Sequence, residues 1–254
     1  MPATCMFCSN PIDSEEHLWP KWVHERKDFG PIKLTRGSNP TKTVPHPQVT
    51  VRAVCETCNK GWMSRKLEVP NIPIVGGMMQ NLSINLDHGI QQTVATWCMK
   101  MAFLTDWTRV GGRQRRFYTK DETLAFATDL SIPPHTRIWI GHINTSHLST
   151  DGHDFELLLA IDKARIGISS TVTIVIGHFV AQIVTDHIRP ECAELNFGTQ
   201  PGPGPWDTKL IQIWPIEKEW VMWPPKDSFT NGGREGIGYL LRRWRTGKQI
   251  DQII

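Results

Sequence analysis

No apolar run in the sequence reaches the length of a membrane span. The best candidate, Val172 to Val184, falls short of the ~20 residues that a bilayer requires. It is also interrupted by Gly177 and His178 and rich in β-branched residues. The N-terminus, Met1-Pro2-Ala3-Thr4-Cys5, has neither a basic region nor an apolar core, so a signal peptide is not expected. Internal repeats and low-complexity tracts are absent. A strong charge imbalance is absent as well: 28 Lys and Arg stand against 25 Asp and Glu, a formal net charge of +3. That balance permits a nucleic-acid partner without demanding one. A cytoplasmic protein with no membrane partner is the expectation, with oligomeric state left open.

Cysteine is scarce, six among 254 residues, yet four of the six form two identically spaced pairs. These are Cys5-Met6-Phe7-Cys8 and Cys55-Glu56-Thr57-Cys58. In a reducing compartment such pairs read as metal ligands more readily than as disulfides. A Cys-x-x-Cys turn spans one edge of a tetrahedron, and two turns close a zinc site with Zn–S near ~2.3 Å. The long stretch Ser9 through Val54 separates the pairs, which is tolerable because loop-closure entropy grows slowly with length. Cys98, on the apolar face of a predicted helix, and the isolated Cys192 read as ordinary semi-buried cysteines.

The chain divides by composition. Residues 1–69 hold both pairs, many polar and proline residues, and little hydrophobic periodicity, so a metal staple makes physical sense there. Residues 70–87, with Pro70, Pro73, Gly76 and Gly77, read as a junction, and residues 88–254 as a larger mixed α and β domain of undetermined topology. The expected fold class is therefore α+β. In the second part, Ile90, Val94, Trp97, Cys98, Met101 and Leu104 recur at helical spacing behind an Asp87 N-cap. A short helix is predicted after Thr119. Strand-like runs follow at Arg137–Ile143, Phe155–Ile161, Thr171–Val184 and Leu210–Pro215. Phe197–Trp206 reads as a loop and Ile237–Arg245 as a last helix.

Between and beside the cysteine pairs stand Glu16-His17-Leu18-Trp19-Pro20 and, directly after Cys58, Asn59. This arrangement over about residues 5–68 resembles the HNH endonucleases of the ββα-metal fold. It is closest to their four-cysteine zinc subgroup, and similar in this to phage recombination endonuclease VII. The resemblance implies a treble-clef-like ββα-metal module with a structural zinc on Cys5, Cys8, Cys55 and Cys58. It implies His17 as the general base that takes a proton from the attacking water. Glu16 and Asn59 match ligands of a catalytic Mg²⁺ or Mn²⁺ ion, and double-stranded DNA is the implied substrate. The division of labour is chemically sound. A histidine with a pKa near ~6.5 suits a base at neutral pH, and carboxylate and amide oxygens suit hard cations. Plainer readings stand beside each: a surface or capping histidine, a solvated carboxylate next to Asp13 and Glu15, and a helix-capping asparagine.

Candidate nucleic-acid contacts are Lys21, Lys60 and Arg65 near the motif, with Trp19, Trp22 and Trp62 interleaved, and Arg113, Arg115 and Arg116 farther on. Basic side chains would contact phosphates without reading sequence. The tryptophans read first as core and the basic loop as a solvated one. The leading expectation is a metal-dependent DNA endonuclease. The rival is a catalytically inactive zinc-stapled module for nucleic-acid binding or protein interaction.

Overall fold

The computed structural model describes residues 3–26, 32–34, 42–44, 50–108, 116–144, 150–161, 164–190 and 208–230; for 32–34, 42–44, 150–161 and 164–165 only the backbone is described. The expected loop Phe197–Trp206, the expected helix Ile237–Arg245, and Arg113 and Arg115 lie outside the described residues.

The described chain is mixed α and β. Strand β1 (Ser14–His17) is followed by α1 (Lys21–Arg26), β2 (Ile32–Leu34), β3 (Lys42–Val44) and β4 (Thr50–Val54). The short helix α2 (Glu56–Cys58) runs into a π-helical stretch, Asn59–Glu68, bent at Gly61, and then into α3 (Val69–Met79). Next come β5 (Ile84–Asp87), α4 (His88–Thr108) and α5 (Lys120–Asp129). The strands β6 (Thr136–His142), β7 (Thr150–Ile161), β8 (Ala164–Ile176), β9 (Phe179–Ile188), β10 (Leu210–Trp214) and β11 (Trp220–Trp223) complete the order.

The chain forms two compact units. One holds Met1–Gly77 and Gln92–Pro133, the other Met78–Gln91 and Pro134–Ile254. Residues 92–133, assigned by composition to the C-terminal part, thus group with the cysteine pairs. The stretch read as a junction is helix α3 and strand β5.

The first unit has a physical reason to recruit α4 and α5. A cysteine-rich segment with little apolar periodicity cannot make a core alone. Phe7, in the first cysteine turn, sits in an aromatic cluster with Trp62 at 5.2 Å, Phe103 at 5.9 Å and Phe126 at 6.1 Å between ring centroids. The edge-to-face pairs in this group add to the area they bury. The sequence pattern marked one apolar face on α4, but every residue from Val94 to Asp106 is buried. A helix enclosed on all sides is the centre of its unit. Both helix starts follow the sequence rules. Asp87 Oδ1 accepts from Ile90 N at 2.8 Å, and Thr119 with Glu122 forms a capping box before α5.

The second unit contains a five-stranded antiparallel sheet in the order β10-β6-β9-β8-β7, and β11 pairs with β5. The run Thr171–Val184, read as one strand, is two. Gly177, at φ +59°, and His178 turn β8 into β9, with Val175 opposite Val180. Residues on both faces of β9 are buried, so the run lacks the alternation that would reveal a hairpin. Trp139, Val175, Val180, Val184, Leu210 and Phe229 pack together with Ile143. No described helix is long and apolar enough to cross a membrane.

Candidate metal centre and its surroundings

The two cysteine turns converge. The Sγ atoms of Cys5, Cys8, Cys55 and Cys58 all lie within 4.8 Å of one another. Cys8 Sγ is 3.5 Å from Cys55 Sγ and 3.7 Å from Cys58 Sγ. A tetrahedral zinc with Zn–S near ~2.3 Å has sulfur–sulfur edges of ~3.8 Å, so the cluster has the dimensions of such a site. The thiols are not joined as disulfides. Backbone amides turn toward the sulfurs, Phe7 N donating to Cys5 Sγ at 3.4 Å and Asn10 N to Cys8 Sγ at 3.5 Å. The four cysteines can hold a metal ion such as zinc. Burial pushes the Cys8 and Cys58 thiols up, so metal binding has to displace their protons.

Lys120, at the start of α5, closes the first turn from outside. Its Nζ donates to Cys5 O at 2.7 Å, Cys8 O at 2.8 Å and Met6 O at 3.2 Å. Nothing in the local sequence links Lys120 to cysteines more than a hundred residues earlier. Lys120→Met is expected to lower stability by about 1–2 kcal/mol, because hydrogen bonds from a charged donor are lost at an exposed position. It should also speed metal transfer to a chelator. A mutant with wild-type melting and wild-type metal release would leave this ammonium without a role in the knuckle.

The order around the cluster is strand, strand, helix. β1 and β4 pair antiparallel, with Glu16 opposite Val51 and His17 opposite Thr50. β4 leads into Cys55, and Asn59 follows Cys58. Asn59 is fastened back to β1, its Nδ2 donating to Ser14 Oγ at 2.8 Å and to Glu15 O at 3.3 Å. Asp13 Oδ1 accepts from Glu56 N at 2.7 Å. The strand carrying Glu16 and His17 is thus tied to the cysteine knuckle at two points.

Glu16 and His17 meet different surroundings. His17 is half-buried, and its pKa is lowered first by burial and then by Lys21 and Lys100, against Glu16 and Glu15. The imidazole is therefore neutral at neutral pH. Glu16 is 8% exposed and its Oε1 accepts from Lys100 Nζ at 2.5 Å. Lys100 Nζ also donates to Glu68 Oε1 at 2.5 Å. Neither Lys100 nor Glu68 stood out by local spacing. The available signal was a single lysine inside an otherwise apolar helical run.

The expected catalytic cation can be tested against these donors. A hard divalent ion takes six or more oxygen ligands, or keeps water in their place. Here the Glu16 carboxylate is held by an ammonium, and the Asn59 amide nitrogen donates to β1. Among the described residues, the four cysteines are the only group of three or more His, Cys, Asp or Glu side chains close enough to share an ion. Glu16 as arranged does not fit the ligand role.

The expected phosphate contacts divide similarly. Lys21 and Arg65 are exposed. Lys60 is exposed but pairs with Glu56. Arg116 lies 4.2 Å over the Trp107 ring and donates to the carbonyls of Asp106 and Trp107 at 3.0 and 2.8 Å. It thereby caps the C-terminus of α4, where a cation is favoured by the helix dipole. Trp22 is buried and Trp62 sits in the aromatic cluster, so both serve the core.

Comparison with protein-family models, curated proteins and solved structures finds no match.

Proposed function

We propose that the first unit is a zinc-organised nuclease module of the HNH type that hydrolyses phosphodiester bonds in DNA, with His17 as the general base. One observation supports this reading above the others. The strand ending in His17, its antiparallel partner β4, the Cys55–Cys58 half of a four-thiol cluster and the Asn59 helix start come in that chain order, and Asn59 bonds back to the histidine strand. In this reading the zinc fixes the Cys55–Cys58 turn, the turn fixes Asn59, and Asn59 holds β1. The neutral His17 imidazole takes a proton from water as the water oxygen bonds to phosphorus. The bond from phosphorus to the 3′-oxygen then breaks, leaving a 5′-phosphate and, after protonation by solvent, a 3′-hydroxyl. Exposed Lys21 and Arg65 are available to phosphates nearby. The resemblance implies Mg²⁺ or Mn²⁺ as a second metal. Because Glu16 does not fit as its ligand, no step is assigned to that ion.

A specific observation favours a second reading, a non-catalytic zinc-stapled module that binds nucleic acid or protein. Glu16, Lys60 and Arg116 are each engaged within the chain. Incubation of supercoiled plasmid DNA with the protein and Mg²⁺ or Mn²⁺ separates the two. Nicked or linear product with 5′-phosphate ends is expected. Intact plasmid under every divalent ion tried would leave the second reading as the better account.

A further inference from the structure

The side chain of Lys100 has no solvent exposure, and it lies within the enclosed part of α4. Burying an unpaired ammonium costs several kcal/mol, so its partners decide whether it is tolerated. They are two carboxylates, Glu16 on β1 and Glu68 at the end of the π-helical stretch, each 2.5 Å away. The second oxygen of Glu68 accepts from Trp22 Nε1 at 2.7 Å and from Trp97 Nε1 at 3.2 Å. Burial disfavours the ammonium, but the charges of Glu68 and Glu16 outweigh it and push the Lys100 pKa up to about 12. One buried cation thus joins β1, the π-helical stretch and α4, and α1 is drawn in through Trp22. Two carboxylates converging on one point are what a divalent cation would need. Here the point is taken by a cation belonging to the chain.

We propose that Lys100 is the built-in cation of this carboxylate pair. Its ammonium seats Glu16 and Glu68, clamps the His17 strand onto α4, and makes Glu16 a positioning residue that ligates no divalent ion. The proposal rests on the reading of His17 as the reacting group, and its test does not depend on cleavage. Glu16→Gln, Lys100→Met and the double variant are compared with wild type, all zinc-loaded, by thermal unfolding and by Mn²⁺ uptake read from its paramagnetic resonance. Glu16→Gln should lower the melting temperature by about 5–10 °C, as breaking a buried pair does. The double variant should melt within about 2 °C of Lys100→Met, because the two positions act as a unit. Mn²⁺ uptake by Glu16→Gln should match wild type, whether strong or nil. Additive losses, or wild-type melting with at least tenfold weaker Mn²⁺ uptake in Glu16→Gln, would overturn the proposal. Should Lys100→Met fail to fold, the cycle of Glu16→Gln and Glu68→Gln reads the same coupling, since both share the ammonium. Absent cleavage in all variants would sink the nuclease reading alone, while melting and Mn²⁺ uptake still decide the role of Lys100.

Discussion

Replacing Cys58 with serine is expected to strip the metal from the protein and unfold the unit formed by Met1–Gly77 and Gln92–Pro133 ahead of the other unit. The wild-type protein should carry about one zinc per chain. The four sulfurs already lie within 4.8 Å of one another, so binding needs little rearrangement. Structural zinc sites contribute about 10–16 kcal/mol of apparent binding energy, which is folding energy where the ligands come from distant segments. Cys8 and Cys55 are such ligands, and the knuckle they form holds Phe7 in the aromatic cluster of the unit. Loss of one thiolate therefore loosens the core as well as the site. Acid should act in the same direction. Burial pushes the Cys58 and Cys8 thiols up, so protons compete with the metal increasingly as pH falls. Chelation should reproduce the mutant. Metal analysis finding no zinc in fully folded wild-type protein would refute the proposed site.

His17→Ala is expected to lower the DNA cleavage rate by about 10²–10⁴-fold, the usual worth of a positioned acid–base group. Zinc content and melting temperature should change little, because the ring is half-buried and the knuckle does not use it. Asn59→Ala should behave differently. It removes the bonds to Ser14 and Glu15, each worth about 1 kcal/mol, so it should lower stability and rate together. The pH profile gives a second check. Burial first, then Lys21 and Lys100, hold His17 below the ordinary histidine value of 6.5. The neutral base then persists at neutral pH, and cleavage should fall only as pH drops below 6.5 through the depressed value. Stability follows the same sign. The unfolded chain takes up the His17 proton at higher pH than the folded one, so this contribution is present above 6.5 and lost as pH falls through the folded value. A His17→Ala protein as active as wild type would remove the basis of the nuclease reading.

Features set by near neighbours were legible in advance. The Cys-x-x-Cys turns, the Asp87 cap and the short helix after Thr119 depend on contacts a few residues apart, and they appear where spacing put them. The strands near 137–143 and 210–215 were legible from residue type, although the pairing that joins them to each other and to β9 is long-range. The Thr171–Val184 run misled because both faces of β9 are buried. The turn at Gly177 was then the one signal of two strands, and its φ of +59° is the conformation that glycine adopts without penalty.

The sequence by itself determined the four-thiol ligand set and the adjacency of Asn59 to it, because each Cys-x-x-Cys turn is a local geometry and Asn59 is the next residue. Tertiary structure alone decided what Glu16 does. The chemistry of a carboxylate depends on the cation it meets, and Lys100 comes from a helix 84 residues away. The same holds for Lys120, which reaches Cys5 across 115 residues, and for the grouping of 92–133 with the cysteine pairs. A segment too poor in apolar residues to enclose itself must borrow a core, and the source of that core is fixed by packing over the whole unit.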